Sequence, residues 1–208
     1  MRKLILLAAV VWPAASFSQT MDIAKQAKPV ADVLEKPSQP AGQAEFNVAD
    51  RLAVENIMAA YTFSVDEYHY DAYFDLYWPD AKFLVREPGY GVQQVPIAKL
   101  RPAHIKLFDR FKAKGLQRRH MMTSTYFLYQ DPTRIRIVAE ALMAEANKQT
   151  NQASLLTPIV YEGWFEKRGG VWKIIRWQGN LDVTSNGTAG KPEDTLGYWL
   201  KQNLPSKN

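Results

Sequence analysis

Apolar positions recur at helical spacing soon after residue 47, where Val54, Ile57, Met58, Tyr61 and Val65 fall on one stripe. Asn47 precedes the stripe and Asp50 follows three residues on, the order of an N-cap with an acidic third position. The spacing predicts a first helix over 48–66. The aromatic-rich run Tyr70, Tyr73, Phe74, Leu76, Tyr77 and Trp78 predicts a second, shorter helix that Pro79 ends. Residues 81–86 read as a short strand, and Glu87-Pro88-Gly89-Tyr90-Gly91 as a loop. Pro96 and Pro102 interrupt a third helical pattern. Its dependable part runs over 103–114, with Ile105, Leu107, Phe108 and Phe111 as the apolar face and Gly115 as the stop.

From Arg119 onward the pattern changes to that of strands, over 120–129, 134–146, 157–167 and 171–183. Asp131-Pro132-Thr133 and Arg168-Gly169-Gly170 are compact turns that favour antiparallel hairpins. A terminal helix is expected over 192–204, with Leu196, Trp199, Leu200 and Leu204 on one side. Helices followed by a meander predict a layered α+β domain whose curved sheet wraps around the helices.

The ends of the chain modify this picture. Arg2 and Lys3 precede the apolar run Leu4 to Trp12, and small residues follow at Ala14, Ala15, Ser16 and Ser18, the order of a signal peptide over 1–18. That run is too short to cross a bilayer core, which needs about 20 residues. A periplasmic or secreted location after cleavage before Gln19 is expected, with no membrane insertion. Residues 19–46, rich in Pro, Ala, Gln and Lys, read as a flexible leader. The globular domain then spans 47–184, and 185–208 form a C-terminal extension.

The chain contains no cysteine, which excludes disulfides, thiolate nucleophiles and cysteine-ligated metals. The formal net charge of +5 is spread over signal, leader and tail, apart from Lys106, Arg110, Lys112, Lys114, Arg118 and Arg119 around one segment. Solvated helix faces carry such charges routinely, so no nucleic-acid partner is expected. His69 and His104 sit among polar residues that look exposed, and no metal site or cofactor is expected. Glu140, Glu145 and Glu162 lie on strands, facing either pocket or solvent.

Several phrases sharpen the picture: Tyr61 to Asp66, the run Asp71 to Ala81, the Arg119-His120 pair opening a strand, and Tyr161-Glu162-Gly163-Trp164-Phe165 followed by Gly170-Val171-Trp172-Lys173-Ile174. Their order and spacing resemble the SnoaL-like branch of the nuclear transport factor 2-like superfamily over roughly 47–184. The resemblance implies a cone-shaped α+β barrel enclosing a pocket, and a homo-oligomer, a dimer through the sheet. It brings in activities such as those of scytalone dehydratase, bile acid dehydratases, polyketide cyclases and steroid isomerases. Superfamily relatives that remove formaldehyde from lignin-derived diaryl diols add retro-aldol chemistry.

In the dehydratases of this branch a tyrosine and an aspartate on the first helix face a histidine at the start of a long strand. Those positions fall here on Tyr61, Asp66 and His120. A carboxylate on one ring nitrogen fixes the imidazole tautomer, and a phenol donates to a carbonyl or leaving hydroxyl. Tyr61 and Asp66 are about 140° apart around an ideal helix, so both reach one pocket only near the helix end. Where the branch places an asparagine four residues after the histidine, this chain has Ser124. Strand alternation puts His120, Met122, Ser124 and Tyr126 on one face. With Trp78 and Tyr161 these residues are expected to line a hydrophobic pocket for an aromatic or polycyclic ligand. The expected function is that of an exported, cofactor-independent lyase, of dehydratase or retro-aldol type, or an isomerase. The alternative is a non-catalytic binding or interaction domain of the same fold.

Overall fold

A computed structural model describes Gly42 and residues 47–185 and 192–203. The signal peptide and, apart from Gly42, the leader expected from the sequence lie outside the described residues.

The first helix, α1, spans Val48–Asp66, and the Asn47 side chain caps it by accepting from the backbone N–H groups of Ala49 and Asp50. Its buried stripe is Val54, Met58, Tyr61 and Val65, as the spacing predicts. Tyr68 follows in the left-handed region at φ 60°, a conformation unusual for a bulky residue. Its side chain is tied down, with the hydroxyl donating to the Leu116 carbonyl at 2.7 Å.

The second helix, α2, is only Tyr70–Asp75, and strand β1, Tyr77–Glu87, begins ahead of Pro79. The expected extension of the helix to Trp78 is therefore wrong. Pro79 sits in a bulge, where Tyr77 pairs with Ile174 and the next pair is Lys82 with Arg176. A residue bulged out of the ladder needs no N–H, so proline is tolerated there. Strand β2, Gly91–Pro96, returns as a hairpin.

Helix α3, Ile97–Ala113, runs straight through Pro102. A proline inside a helix loses one hydrogen bond and costs about 3 kcal/mol. Burial of Ile97 and Leu100 before it and Ala103, Leu107, Phe108 and Phe111 after it overrides the break. Strands β3 (Leu116–Gln130), β4 (Arg134–Asn147), β5 (Gln152–Arg168) and β6 (Val171–Leu181) form the meander. A 3-10 turn at Pro192–Asp194 and helix α4, Leu196–Asn203, close the described chain.

The six strands form one sheet in the order β2-β1-β6-β5-β4-β3. It is α+β as expected, but mixed and unclosed: β1 runs parallel to β6, every other pair is antiparallel, and β2 and β3 are free edges. Register shifts in β3/β4, β4/β5 and β5/β6 bend the sheet. The core lies between its concave face and the helices, around Trp177, Phe165, Ile174, Phe111 and Leu107. Among the described residues no helix is long and apolar enough to cross a membrane.

Candidate active site

The end of α1 and the start of β3 are stitched together. Gln117 donates from its side chain to the Asp66 carbonyl, Arg119 pairs with Glu67, and Tyr68 reaches Leu116. At the centre of this seam both oxygens of the buried Asp66 carboxylate meet His120. Oδ2 accepts the backbone N–H at 2.8 Å, and Oδ1 lies 2.6 Å from ring Nδ1. With Nδ1 as the donor, Nε2 is left as a lone-pair acceptor, and it has no hydrogen-bond partner among the described residues. Asp66 is the last residue of its helix, where the macrodipole disfavours a negative charge, so the two bonds from His120 hold it against that field.

Asp66 and His120 open on a cavity of about 70 Å³ in the concave face of the sheet. Tyr61 and Tyr161 line it from the core side, and Tyr61 packs edge-on to the His120 ring at 6.2 Å. Burial pushes the Tyr61 phenol up to about 12, only partly offset by hydrogen bonding to neighbouring aromatic groups. Tyr73, Tyr77 and Tyr161 are pushed well up by burial too, so the group stays protonated and serves as donors. Tyr61 and Asp66 do share one pocket, because Asp66 stands at the helix end.

Other expected lining residues lie elsewhere. His120 and Met122 oppose Met143 and Ala141 on the concave face, but the next pair is Thr125 with Ala139. The extra residue reverses the alternation, so Ser124 and Tyr126 leave the His120 face, while Phe127, opposite Ile137, packs on the core. Met122 packs against the core without lining the cavity. Trp78 donates to the Glu166 carbonyl, with Arg168 and Lys173 over its ring, away from the cavity. His69 is exposed, Glu140 is exposed, and Glu162 pairs with Arg136 across from Val138, outside the cavity.

Three polar residues at the cavity were not anticipated. His104, expected to be exposed, is buried in α3 and lines it. Glu87, expected in a loop, is buried at the end of β1, where its carboxylate accepts from Ser185 N, Ser185 Oγ and Gly197 N. A side chain at Gly197 would begin 2.6 Å from that carboxylate, so only glycine lets α4 approach. Arg118, two residues before His120 on the same face, pairs with Glu145 and donates to the Ser185 and Asp194 carbonyls. Glu87 and Arg118 thus fasten the C-terminal extension against the cavity, and Ser185 and Leu196 complete its wall. Arg110 and Lys114 pair with Asp194, which accounts for much of the basic cluster.

A family model described as SnoaL-like domain matches residues 47–178. The chain belongs to the SnoaL-like family. None of the curated proteins compared with the chain matches it. Among solved structures, a candidate aromatic ring hydroxylase from Novosphingobium aromaticivorans is 22% identical, with TM-score 0.56 over 67% of this chain and 93% of that one. The hexachlorocyclohexane dehydrochlorinase LinA-type3 from Novosphingobium barchaimii is 20% identical, with TM-score 0.51 over 65% and 88%. A protein with a cystatin-like fold from Nostoc punctiforme is 18% identical, with TM-score 0.52 over 67% and 96%. At these identities the likeness is one of fold. The SnoaL-like segment ends before Ser185 and Leu196, so part of the cavity wall lies beyond the matched domain.

Proposed function

We propose that the protein is a cofactor-independent lyase acting on a compact hydrophobic molecule. The observation that carries this reading is the pair of hydrogen bonds from His120 to the Asp66 carboxylate, which leaves Nε2 as an acceptor at the wall of an apolar cavity. In the proposed step Nε2 takes a proton from a substrate carbon. The C–H electron pair becomes the new C=C bond, and the group on the adjacent carbon departs with its bonding pair. The proton on Nε2 then passes to the departing hydroxide, which leaves as water, or to solvent where a halide departs. Asp66 positions the ring and stabilises the imidazolium, and Tyr61 and Tyr161 donate to the substrate's polar atoms.

Water is the proposed leaving group, with halide as the variant suggested by the dehydrochlorinase of similar fold. The volume of about 70 Å³ favours a molecule more compact than the aromatic or polycyclic ligand expected from the sequence, since the apolar cavity that accommodates benzene measures about 150 Å³. The test is a panel of compact hydroxyketones and halocycloalkanes, scored for alkene and for released water or halide. His120→Ala should lower turnover about 10²–10⁴-fold with the fold retained; full turnover in that variant would sink the lyase reading and leave a binding domain.

The proposal includes export, supported by the charged, apolar and small-residue order of residues 1–18. It also includes a dimer through the outer sheet face, supported by exposed Met121, Leu142 and Leu155 on neighbouring strands. N-terminal sequencing of exported protein and light scattering test the two in turn.

A further inference from the structure

His104 lies on the inward stripe of α3 with Leu100, Leu107, Phe108 and Phe111, and it is only 3% exposed. Aromatic rings surround it: Phe108 at 4.8 Å between centroids, Tyr73 at 5.2 Å, Phe83 at 5.7 Å and Phe74 at 6.0 Å. Its Nδ1 is fully enclosed and has no hydrogen-bond partner. Among the described residues Nε2 has none either. Burial, aided by the nearby charge of His120, pushes the ring down to about 3, so it is neutral, with one N–H donor and one acceptor unused.

Buried polar groups are nearly always satisfied, and one left bare in an apolar setting is destabilising. A leucine would suit this aromatic surround better if packing were the only requirement. The imidazole lines the same cavity as His120 but comes from the helical wall, whereas His120 comes from the sheet. Of the other polar residues there, Glu87 is engaged by Ser185 and Gly197, Asp66 by His120, and Tyr68 by Leu116. Among the described residues His104 is thus, beside Nε2 of His120, a polar contact at the cavity that no protein group uses.

We infer that His104 is the specificity-determining contact of the cavity, hydrogen-bonding a carbonyl or hydroxyl oxygen on a compact ring while His120 faces a C–H bond of that ring. This rests on reading the cavity as a ligand site and adds the substrate class: a small oxygenated ring, not a bare hydrocarbon. A site built around such a contact rejects the analogue that lacks the oxygen, because its own polar group is then left unpaired.

The experiment uses the full chain and two probes of nearly equal shape, cyclopentanone and methylenecyclopentane, which exchange C=O for C=CH₂. Affinities come from titration, and side-chain ¹H–¹⁵N correlations report the His104 ring directly. The wild type should prefer cyclopentanone by at least about tenfold, with the His104 nitrogens shifting on binding. His104→Leu should bring the two affinities within about twofold and keep or raise Tm, while His104→Gln, which retains a donor and an acceptor, should restore part of the preference. Equal affinities in the wild type, binding of neither probe, a preference that survives in His104→Leu, or unshifted His104 nitrogens each overturn the inference. Failure of the lyase reading registers separately, as unchanged turnover in His120→Ala.

Discussion

Helix α1 carries a buried aspartate at each end, and the two do opposite things. Asp50, in the first turn, accepts from Trp172 Nε1 at 2.7 Å and Lys167 Nζ at 2.8 Å. Burial pushes its carboxyl up, but the bonds from Lys167 and Trp172 and the lysine charge outweigh this and hold it below the usual carboxylate value. The N-terminal end of the dipole helps as well. Among the described residues no Lys or Arg lies within ion-pair distance of Asp66, at the other end, and its partner there is His120. An acid where the field favours it, held by one lysine and an indole N–H, is a pin for the fold. An acid where the field opposes it, tied to one imidazole at a cavity, is what the proposed chemistry calls for.

The largest effects should separate the two. Asp66→Asn should lower turnover by at least about tenfold, and by less than His120→Ala, because an amide permits the wrong imidazole tautomer. Its unfolding free energy should change little by comparison. Asp50→Asn should do the reverse, leaving turnover intact and costing about 1–3 kcal/mol, since the Lys167 ammonium loses its buried counter-charge. Steady-state kinetics and urea unfolding of both variants check the contrast, and a comparable loss of turnover at Asp50 would erase it.

The pH dependence of stability sharpens the same contrast with an intermediate effect. Asp50 has a folded pKa below its unfolded value near 3.8, so its contribution is complete above that value and fades as pH falls through the lower folded pKa. His104 acts in a different window. Its folded pKa of about 3 lies below the ordinary 6.5, so between these values the unfolded chain binds a proton that the folded one does not. Stability therefore falls on acidification from about 6.5 toward 3, with a limiting slope of about 1.4 kcal/mol per pH unit. His104→Leu should remove that slope and leave the Asp50 contribution below 3.8. Urea unfolding across this range checks it, and an unchanged slope would show that His104 is not held neutral.

What was readable in the sequence follows the range of the interactions. Helix α1 and the Asp66–His120 pairing rest on a clean helical period and a family pattern, and the fold brings those residues together. Plain alternation puts Ser124 and Tyr126 on the wrong face because one bulged residue reverses a period of two, and nothing in Thr123-Ser124-Thr125 announces the bulge. The spacings of Tyr70, Tyr73, Phe74 and Tyr77 suit a helix that would carry on to Trp78, while the pairing with β6 that overrides it is a long-range contact. His104 has a visible signal inside the expected helix, its spacing to Leu107, Phe108 and Phe111, but a polar ring beside Ile105 reads as the edge of the apolar face and not as part of it. Glu87 had none, since its partners Ser185 and Gly197 lie 98 and 110 residues away.

The smallest effect concerns how Asp50 is held. Lys167 is 30% exposed along its side chain, and its ammonium also lies 5.6 Å from the Trp172 ring centroid. Lys167→Met keeps the aliphatic stem on that ring and removes only the charge. Asp50 then keeps the Trp172 N–H and the helix N-terminus, so the expected loss is about 0.5–1 kcal/mol at neutral pH, smaller than for Asp50→Asn. The Asp50 pKa should move up toward 3.8, which shifts the acid-side fall of stability to slightly higher pH. In the double variant the uncompensated ammonium is gone, so its stability should lie above the sum of the two single losses. Additive losses would mean that Lys167 and Asp50 do not act as a pair, and the fold would then be pinned at this end by Trp172 and the helix terminus alone.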